Sequence, residues 1–85
     1  MSSDNKKVIS AVQCRAARAL LGWNQNDLES ASDVAKKTIA DFERGARTPY
    51  SRTLSDLRRA LERAGIIFIE QNGGGPGVRL KDRQA

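Results

Sequence analysis

The sequence predicts a mainly α-helical domain in which four helices are followed by a C-terminal β-hairpin. Four segments carry apolar residues at helical spacing, and glycines stand at the ends of three of them, at positions 22, 45 and 65. Beyond the last glycine the period changes: IIFIE is a β-branched run, NGGGPG is rich in glycine, and VRLKD alternates apolar with charged residues. The 85 residues leave room for one small domain.

The first predicted helix covers residues 8–21, where VISAVQCRAARALL is rich in helix-forming residues and Gly22 marks the end. Two neighbouring apolar stripes run along it, one of Cys14, Ala17 and Leu21 and one of Ile9, Val12, Ala16 and Leu20. Two stripes predict two packing surfaces. Cys14 belongs to the first stripe, so we expect a buried apolar side chain there, with a redox sensor as the alternative.

The second predicted helix begins at Gln25, because Asn24 is a good N-cap and Asp27 stands at the third helical position. Trp23 and Leu28 are spaced to form a hydrophobic staple around this cap. The sequence therefore predicts a well-defined start for this helix.

A tight turn near Ser32 and Asp33 is expected to end the second helix, because SASD consists largely of residues that favour helix ends. The third predicted helix covers residues 34–44, and its Ile39 and Phe42 keep the spacing of a core-facing side. Two short helices joined by a tight turn can present the second of them to the major groove of DNA.

The fourth helix is expected to be capped by Ser51, and its apolar face consists of Leu54, Leu57, Leu61 and Ala64. The hairpin is expected at residues 66–81. An isolated hairpin is marginal in water, so its run IIFI must be covered by the first helix, the fourth helix or another subunit. Four consecutive apolar residues also predict that both faces of the strand are buried.

Charge and composition limit the classes of function that the chain can have. Fifteen Lys and Arg against ten Asp and Glu give a net charge of +5, which favours a polyanionic partner, nucleic acid first. The chain has no histidine and one cysteine, which excludes zinc sites, His-dependent triads and an intramolecular disulfide. The start MSSDNKKVIS lacks the apolar core of a signal peptide. We expect a cytoplasmic protein that has no membrane partner, needs no cofactor or metal, and is not an enzyme.

The outer face of the third helix carries Lys36, Lys37, Ala40, Asp41 and Arg44. Lysine can bond guanine O6 and N7, alanine can touch a thymine methyl group, and aspartate can accept from a cytosine amino group. A charged helix face is also typical of ordinary solvated surface. The spacing alone does not decide between this alternative and a DNA-reading face.

Three stretches, RAARALLGWNQNDLE, VAKKTIADFERGARTP and LSDLRRALERAGI, give residues 13–61 a family resemblance. They resemble the helix-turn-helix domain of phage repressor and Cro-like transcriptional regulators, the xenobiotic-response-element family. The resemblance implies a four-helix repressor-like helix-turn-helix DNA-binding domain at residues 8–65. It also implies a sequence-specific, dimeric repressor that binds a partly palindromic double-stranded DNA operator. The later stretch GIIFIEQNGGGPGVRL resembles the tail of small single-domain bacterial members.

The resemblance also implies which residues bind DNA: Gln25, Lys36, Lys37, Thr38, Ala40, Asp41, Arg44, Arg47 and Thr48. Gln25 would contact the DNA backbone and brace the first base-reading residue of the third helix. Arg44, Arg47 and Thr48 match the loop that holds phosphates or approaches the minor groove.

A further implied feature is an ion pair between Arg18 and Glu43, joining the first helix to the end of the third. If the pair is buried, removing one partner should lower the free energy of unfolding by about 3 to 5 kcal/mol. If it is exposed, the pair contributes under about 1 kcal/mol. The chain departs from the family at Glu29, where a small residue is usual, at Asp33, where glycine is usual, and at Ala35, where a Ser or Thr cap is usual. We expect Glu29 to lean outward or meet a cation, and Asp33 to be a candidate cap.

The apolar surfaces in excess of one small core predict a homodimer, with contacts from Val12, Ala16, Leu20, Ile66, Ile67, Phe68 and Ile69. The 66–81 hairpin is thus a candidate dimerisation element. Residues 1–7 are expected to be a disordered basic arm, and residues 82–85 a tail. The alternative function is a protein-interaction module, such as an antitoxin or antiactivator, that binds a partner protein and can also repress its own promoter.

Overall fold

The computed structural model describes residues 8–70 and 74–81. In these ranges the chain forms four helices and an antiparallel hairpin: α1 (Ala11–Leu21), α2 (Gln25–Ser32), α3 (Lys36–Glu43), α4 (Ser51–Arg63), β1 (Ile66–Ile69) and β2 (Gly77–Leu80). The predicted mainly α fold with a C-terminal hairpin is therefore confirmed. The basic arm expected at residues 1–7 and the tail at 82–85 lie outside the described residues.

Helix α1 begins at Ala11, three residues later than predicted, because Ser10 caps it. The Ser10 hydroxyl accepts from the Gln13 backbone N–H at 3.1 Å, and the Gln13 side-chain oxygen accepts from the Ser10 N–H at 3.0 Å. This reciprocal capping box leaves Ile9 outside the helix, where it still packs in the core. The helix ends as predicted at Gly22, whose φ of 71° closes it in the left-handed conformation.

Helix α2 begins at Gln25, as predicted, with Asn24 as its cap. The Asn24 side-chain oxygen accepts from the Asp27 N–H at 2.8 Å, and an Asp27 carboxylate oxygen accepts from the Asn24 N–H at 2.9 Å. Asp33 ends the helix with a φ of 64°, and its N–H donates to the Glu29 carbonyl. Asp33 thus closes α2, and its predicted role as a cap for the next helix is wrong.

The helices pack around one apolar core. Its most deeply buried side chains come from every helix: Cys14, Leu28, Ile39, Leu57 and Leu61. Trp23 packs against this cluster at the start of α2. Ser51 is the first helical residue of α4 and Tyr50 its cap, so the predicted cap was one position late.

The hairpin buries one face against the helices. Ile66 and Phe68 are 3% and 8% exposed, whereas Ile67 on the other face is half-buried and Ile69 is 36% exposed. Successive strand residues point to opposite faces, and α1 and α4 cover only one of them. The prediction that both faces are buried is wrong. Ile66 and Phe68 are core residues of the protomer, so Ile67 and Ile69 are the hairpin residues that remain accessible for the predicted dimer contact.

A buried glutamine ties the hairpin to α1. The Gln13 side-chain nitrogen donates to the carbonyls of Gly77 at 2.9 Å and Ile69 at 3.3 Å, one on each strand. On the other side, the Arg58 guanidinium lies 5.1 Å from the centre of the Phe68 ring. The hairpin is thus held by the helical domain of its own protomer.

Candidate nucleic-acid interface

Helices α2 and α3 are joined by a three-residue turn, and α3 is held by its inner side. Ile39, Phe42 and Glu43 are buried, with Glu43 only 3% exposed. Helical geometry then places Lys36 and Lys37 on the outer surface, where both are exposed. Of the other candidate residues, Arg44, Arg47 and Thr48 are exposed, and Gln25, Thr38, Ala40 and Asp41 are half-buried.

The start of α3 is capped from α2. Ala35 occupies the cap position and has no side-chain acceptor, so the first N–H groups of α3 need another partner. A carboxylate oxygen of Glu29 accepts from the Lys36 backbone N–H at 3.1 Å. Glu29 therefore does not simply lean outward or pair with a cation, as expected. Two family departures, an acid in α2 and a missing cap in α3, compensate each other.

The exposed surface of α3 contains a small ion-pair cluster. Asp41 accepts from the Lys37 ammonium at 3.1 Å through one oxygen and from the Arg44 guanidinium at 3.0 Å through the other. The side chains of Lys37 and Arg44 are 83% and 67% exposed, whereas that of Asp41 is 13% exposed. Hydrogen bonds from Lys37 and then Arg44 hold the pKa of the Asp41 carboxyl below its usual value. The two cations are thus presented to solvent and the acid lies beneath them.

The end of α3 is anchored to α1 by a bidentate ion pair. The Arg18 guanidinium donates to the two carboxylate oxygens of Glu43 at 2.6 and 2.8 Å. A third nitrogen of the same group donates to the Trp23 carbonyl at 3.0 Å. Arg15, also on α1, donates to the main-chain carbonyl of Glu43. The pair implied by the family resemblance is therefore present, and it fixes α3 relative to α1.

Two further groups complete the shell around Glu43. The Gln25 side-chain nitrogen donates to it at 3.1 Å and the Cys14 thiol at 3.2 Å. Burial raises the pKa of Glu43, but the hydrogen bonds from Arg18, Gln25 and Cys14 outweigh it, and the net direction is down. Burial, followed by the bond to Glu43, raises the pKa of Cys14, which keeps the thiol protonated as a donor. Gln25 thus braces the last residue of α3, and its expected contacts with the DNA backbone and with the first base-reading residue stay predictions.

A groove borders α3 where the chain enters α4. Its volume is about 350 Å³ and its lining consists of Thr38, Arg47, Thr48, Pro49, Tyr50 and Thr53. Three of these residues were DNA-contact candidates; Tyr50, which is 86% exposed, and Thr53 were not. The available signal was their position in the sequence, because Tyr50 follows the candidate loop directly and Thr53 lies in the first turn of α4.

Residues 15–64 match the family described as helix-turn-helix. The chain belongs to this family, that of the Cro-like, xenobiotic-response-element type helix-turn-helix regulators. At this level it is a DNA-binding transcription regulator. A comparison with curated proteins finds no match. Within residues 8–70 and 74–81, no helix is long and apolar enough to cross a membrane, and no three potential ligand side chains are grouped to hold a metal ion.

Proposed function

We propose that this protein is a sequence-specific repressor that reads the major groove of double-stranded DNA with α3. The observation that carries the proposal is that α3 has one side buried in the core and the other side exposed. Its inner side is locked by Ile39, Phe42 and the Glu43 ion pair, and its outer side presents Lys36 and Lys37 at the N-terminal end. Rigid presentation suits base recognition, because a donor must meet guanine O6 and N7 within hydrogen-bond geometry.

The neighbouring loop supplies the phosphate contacts in this proposal. Arg44 and Arg47 are exposed cations on either side of the short turn after α3, and Thr48 lies in the groove with Tyr50. Contacts of this kind supply affinity and set the register of the protein on the duplex, while base-edge contacts supply specificity. In this proposal Ala40, which is half-buried on α3, touches a thymine methyl group.

We also propose that the repressor acts in the cytoplasm as a homodimer formed through the outer stripe of α1. Val12 and Leu20 are 62% and 44% exposed, with half-buried Ala16 between them, and these three residues lie outside the core cluster that contains Ile9 of the same predicted stripe. Ile69 and half-buried Ile67 add apolar surface on the outer face of the hairpin. A two-fold dimer would place two recognition helices about 34 Å apart and match a partly palindromic operator.

The test of DNA recognition is a fluorescence-anisotropy titration against duplex DNA from upstream of the coding region, beside a scrambled duplex, at about 150 mM salt, where non-specific Kd values are about 10⁻⁴ to 10⁻⁶ M. We expect a preference of about a thousandfold. The variant Lys36→Ala, Lys37→Ala should lose that preference. A matched control, Arg59→Ala, Arg79→Ala, removes the same charge from exposed positions on α4 and β2 and should keep it.

If the wild-type protein binds the two duplexes equally, selection of preferred sites from a random duplex library separates a wrong choice of operator from a lack of specificity. A protein that selects no sequence, in a folded state, contradicts the proposal.

The second candidate function is a protein-interaction module, favoured by the same exposed stripe on α1. The substitution Val12→Asp separates the alternatives. Under the dimer proposal it gives a folded monomer by light scattering that binds the operator more weakly. Under the interaction proposal the wild-type protein is already a monomer, and the variant regulates normally on DNA but loses a partner protein.

A further inference from the structure

Asp41 lies on the outer side of α3, half-buried and one helical turn from an exposed cation on each side. Lys37 precedes it by four residues and Arg44 follows it by three, and both spacings bring side chains together on a helix. Each carboxylate oxygen accepts from one of these cations, at 3.1 and 3.0 Å. The cluster is local to α3 and independent of the core contacts on its inner side.

This geometry conflicts with direct base reading by Asp41. A carboxylate reads cytosine by accepting from its amino group, so it must present an oxygen to the groove. The Asp41 side chain is 13% exposed, and its oxygens are engaged by two far more exposed cations. DNA approaching this surface meets Lys37 and Arg44 before it meets Asp41.

We propose that Asp41 is a positioning residue that sets sequence discrimination by holding Lys37 and Arg44 in place and cancelling one of their two charges. The inference rests on the proposed function of α3. Without the acid, the two side chains would move freely and both charges would be available to any phosphate. Non-specific binding grows with the number of phosphates neutralised, so the cancelled charge weakens binding to every sequence. On the right sequence, the fixed positions of Lys37 and Arg44 offset that loss, so the acid suppresses binding to wrong sequences more.

The experiment compares Asp41→Asn with wild type on a non-specific duplex over a range of salt concentrations. Asparagine keeps the shape and removes the charge. We expect binding about fivefold tighter at ~0.1 M salt, and a slope of log K against log salt that is steeper by about 0.9, the value for one more neutralised phosphate. Asp56→Asn is the matched control, since it changes the net charge equally from a half-buried position on α4 and should alter neither quantity to this extent.

Two further variants separate positioning from a general charge effect. Asp41→Glu keeps the carboxylate within reach of both cations and should retain the wild-type slope. Selection from a random duplex library should yield the same preferred site for wild type and Asp41→Asn, with a specificity ratio lower by about the factor gained on non-specific DNA.

The outcomes are distinct. If Asp41→Asn relaxes preference at a single base position and leaves non-specific binding like that of the Asp56→Asn control, Asp41 reads that base and the proposal is wrong. If wild type selects no site, the proposed function of α3 fails, whereas the salt slopes still decide whether Asp41 masks the two cations. Circular dichroism of each variant establishes that the fold is retained.

Discussion

The sharpest energetic prediction concerns Glu43→Ala. The wild-type carboxylate is 3% exposed and accepts from Arg18 twice, from Gln25 and from Cys14, while the Arg18 side chain is 18% exposed. Truncation leaves a largely buried guanidinium without its counter-charge, and two other donors without an acceptor. Breaking a buried pair in this way costs about 3 to 5 kcal/mol. Since small domains are stable by about 5 to 15 kcal/mol, the variant should lose a large part of its stability.

The assay is urea unfolding followed by circular dichroism at 25 °C, with the free energy of unfolding extrapolated to water. Glu62→Ala is the matched control, because Glu62 pairs with Arg58 at 2.9 Å on α4 but is itself 43% exposed, whereas Glu43 is 3% exposed. We expect the control to lose under about 1 kcal/mol. A loss of that size for Glu43→Ala as well would refute the reasoning, since the four bonds to Glu43 would then add no more than a surface pair.

The Glu43 carboxylate also determines how the stability of the protein should respond to acid. The pKa of Glu43 is lowered on folding from its ordinary value of 4.5. Its contribution to stability is therefore fully present above about pH 4.5 and is lost as the pH falls through the folded-state pKa. Unfolding of Glu43→Gln should depend less on pH below 4.5 than unfolding of wild type, and equal slopes for the two proteins would contradict this assignment.

Three other experiments test the local structure. Glu29→Ala should lower stability by about 0.5 to 2 kcal/mol through loss of the α3 cap, and Glu29→Gln, which keeps an acceptor, should lose less; equal losses in urea unfolding would argue against a capping role. Gln13→Leu should free the hairpin from α1, which amide hydrogen exchange in β2 would report as faster exchange, and unchanged protection would contradict the tie. Cys14 should react with a thiol reagent only on unfolding, because it is buried with a raised pKa; rapid modification of the native protein would show that the site opens.

The family resemblance led directly to the Arg18–Glu43 pair, but it did not indicate the rest of the cluster. Cys14 and Gln25 reach the same carboxylate from positions 29 and 18 residues away in sequence, and spacing along the chain carries no signal for contacts of that range. The Asp41 cluster differs, because Lys37 and Arg44 stand at intrahelical spacings that predict ion pairs. The spacing of these three residues is therefore a sequence signal for the ion pairs, whereas their base contacts rest on the family resemblance.

Local patterns by themselves determined the helical segments, the cap at Asn24, the stop at Gly22 and the presence of a hairpin, because hydrogen bonds and steric limits within a few residues decide such features. Only the tertiary structure decided which strand face is buried, how Gln13 holds the hairpin, and that Glu29 caps a helix whose own cap position is Ala35. These features depend on which elements lie side by side, and the packing of the whole core determines that arrangement.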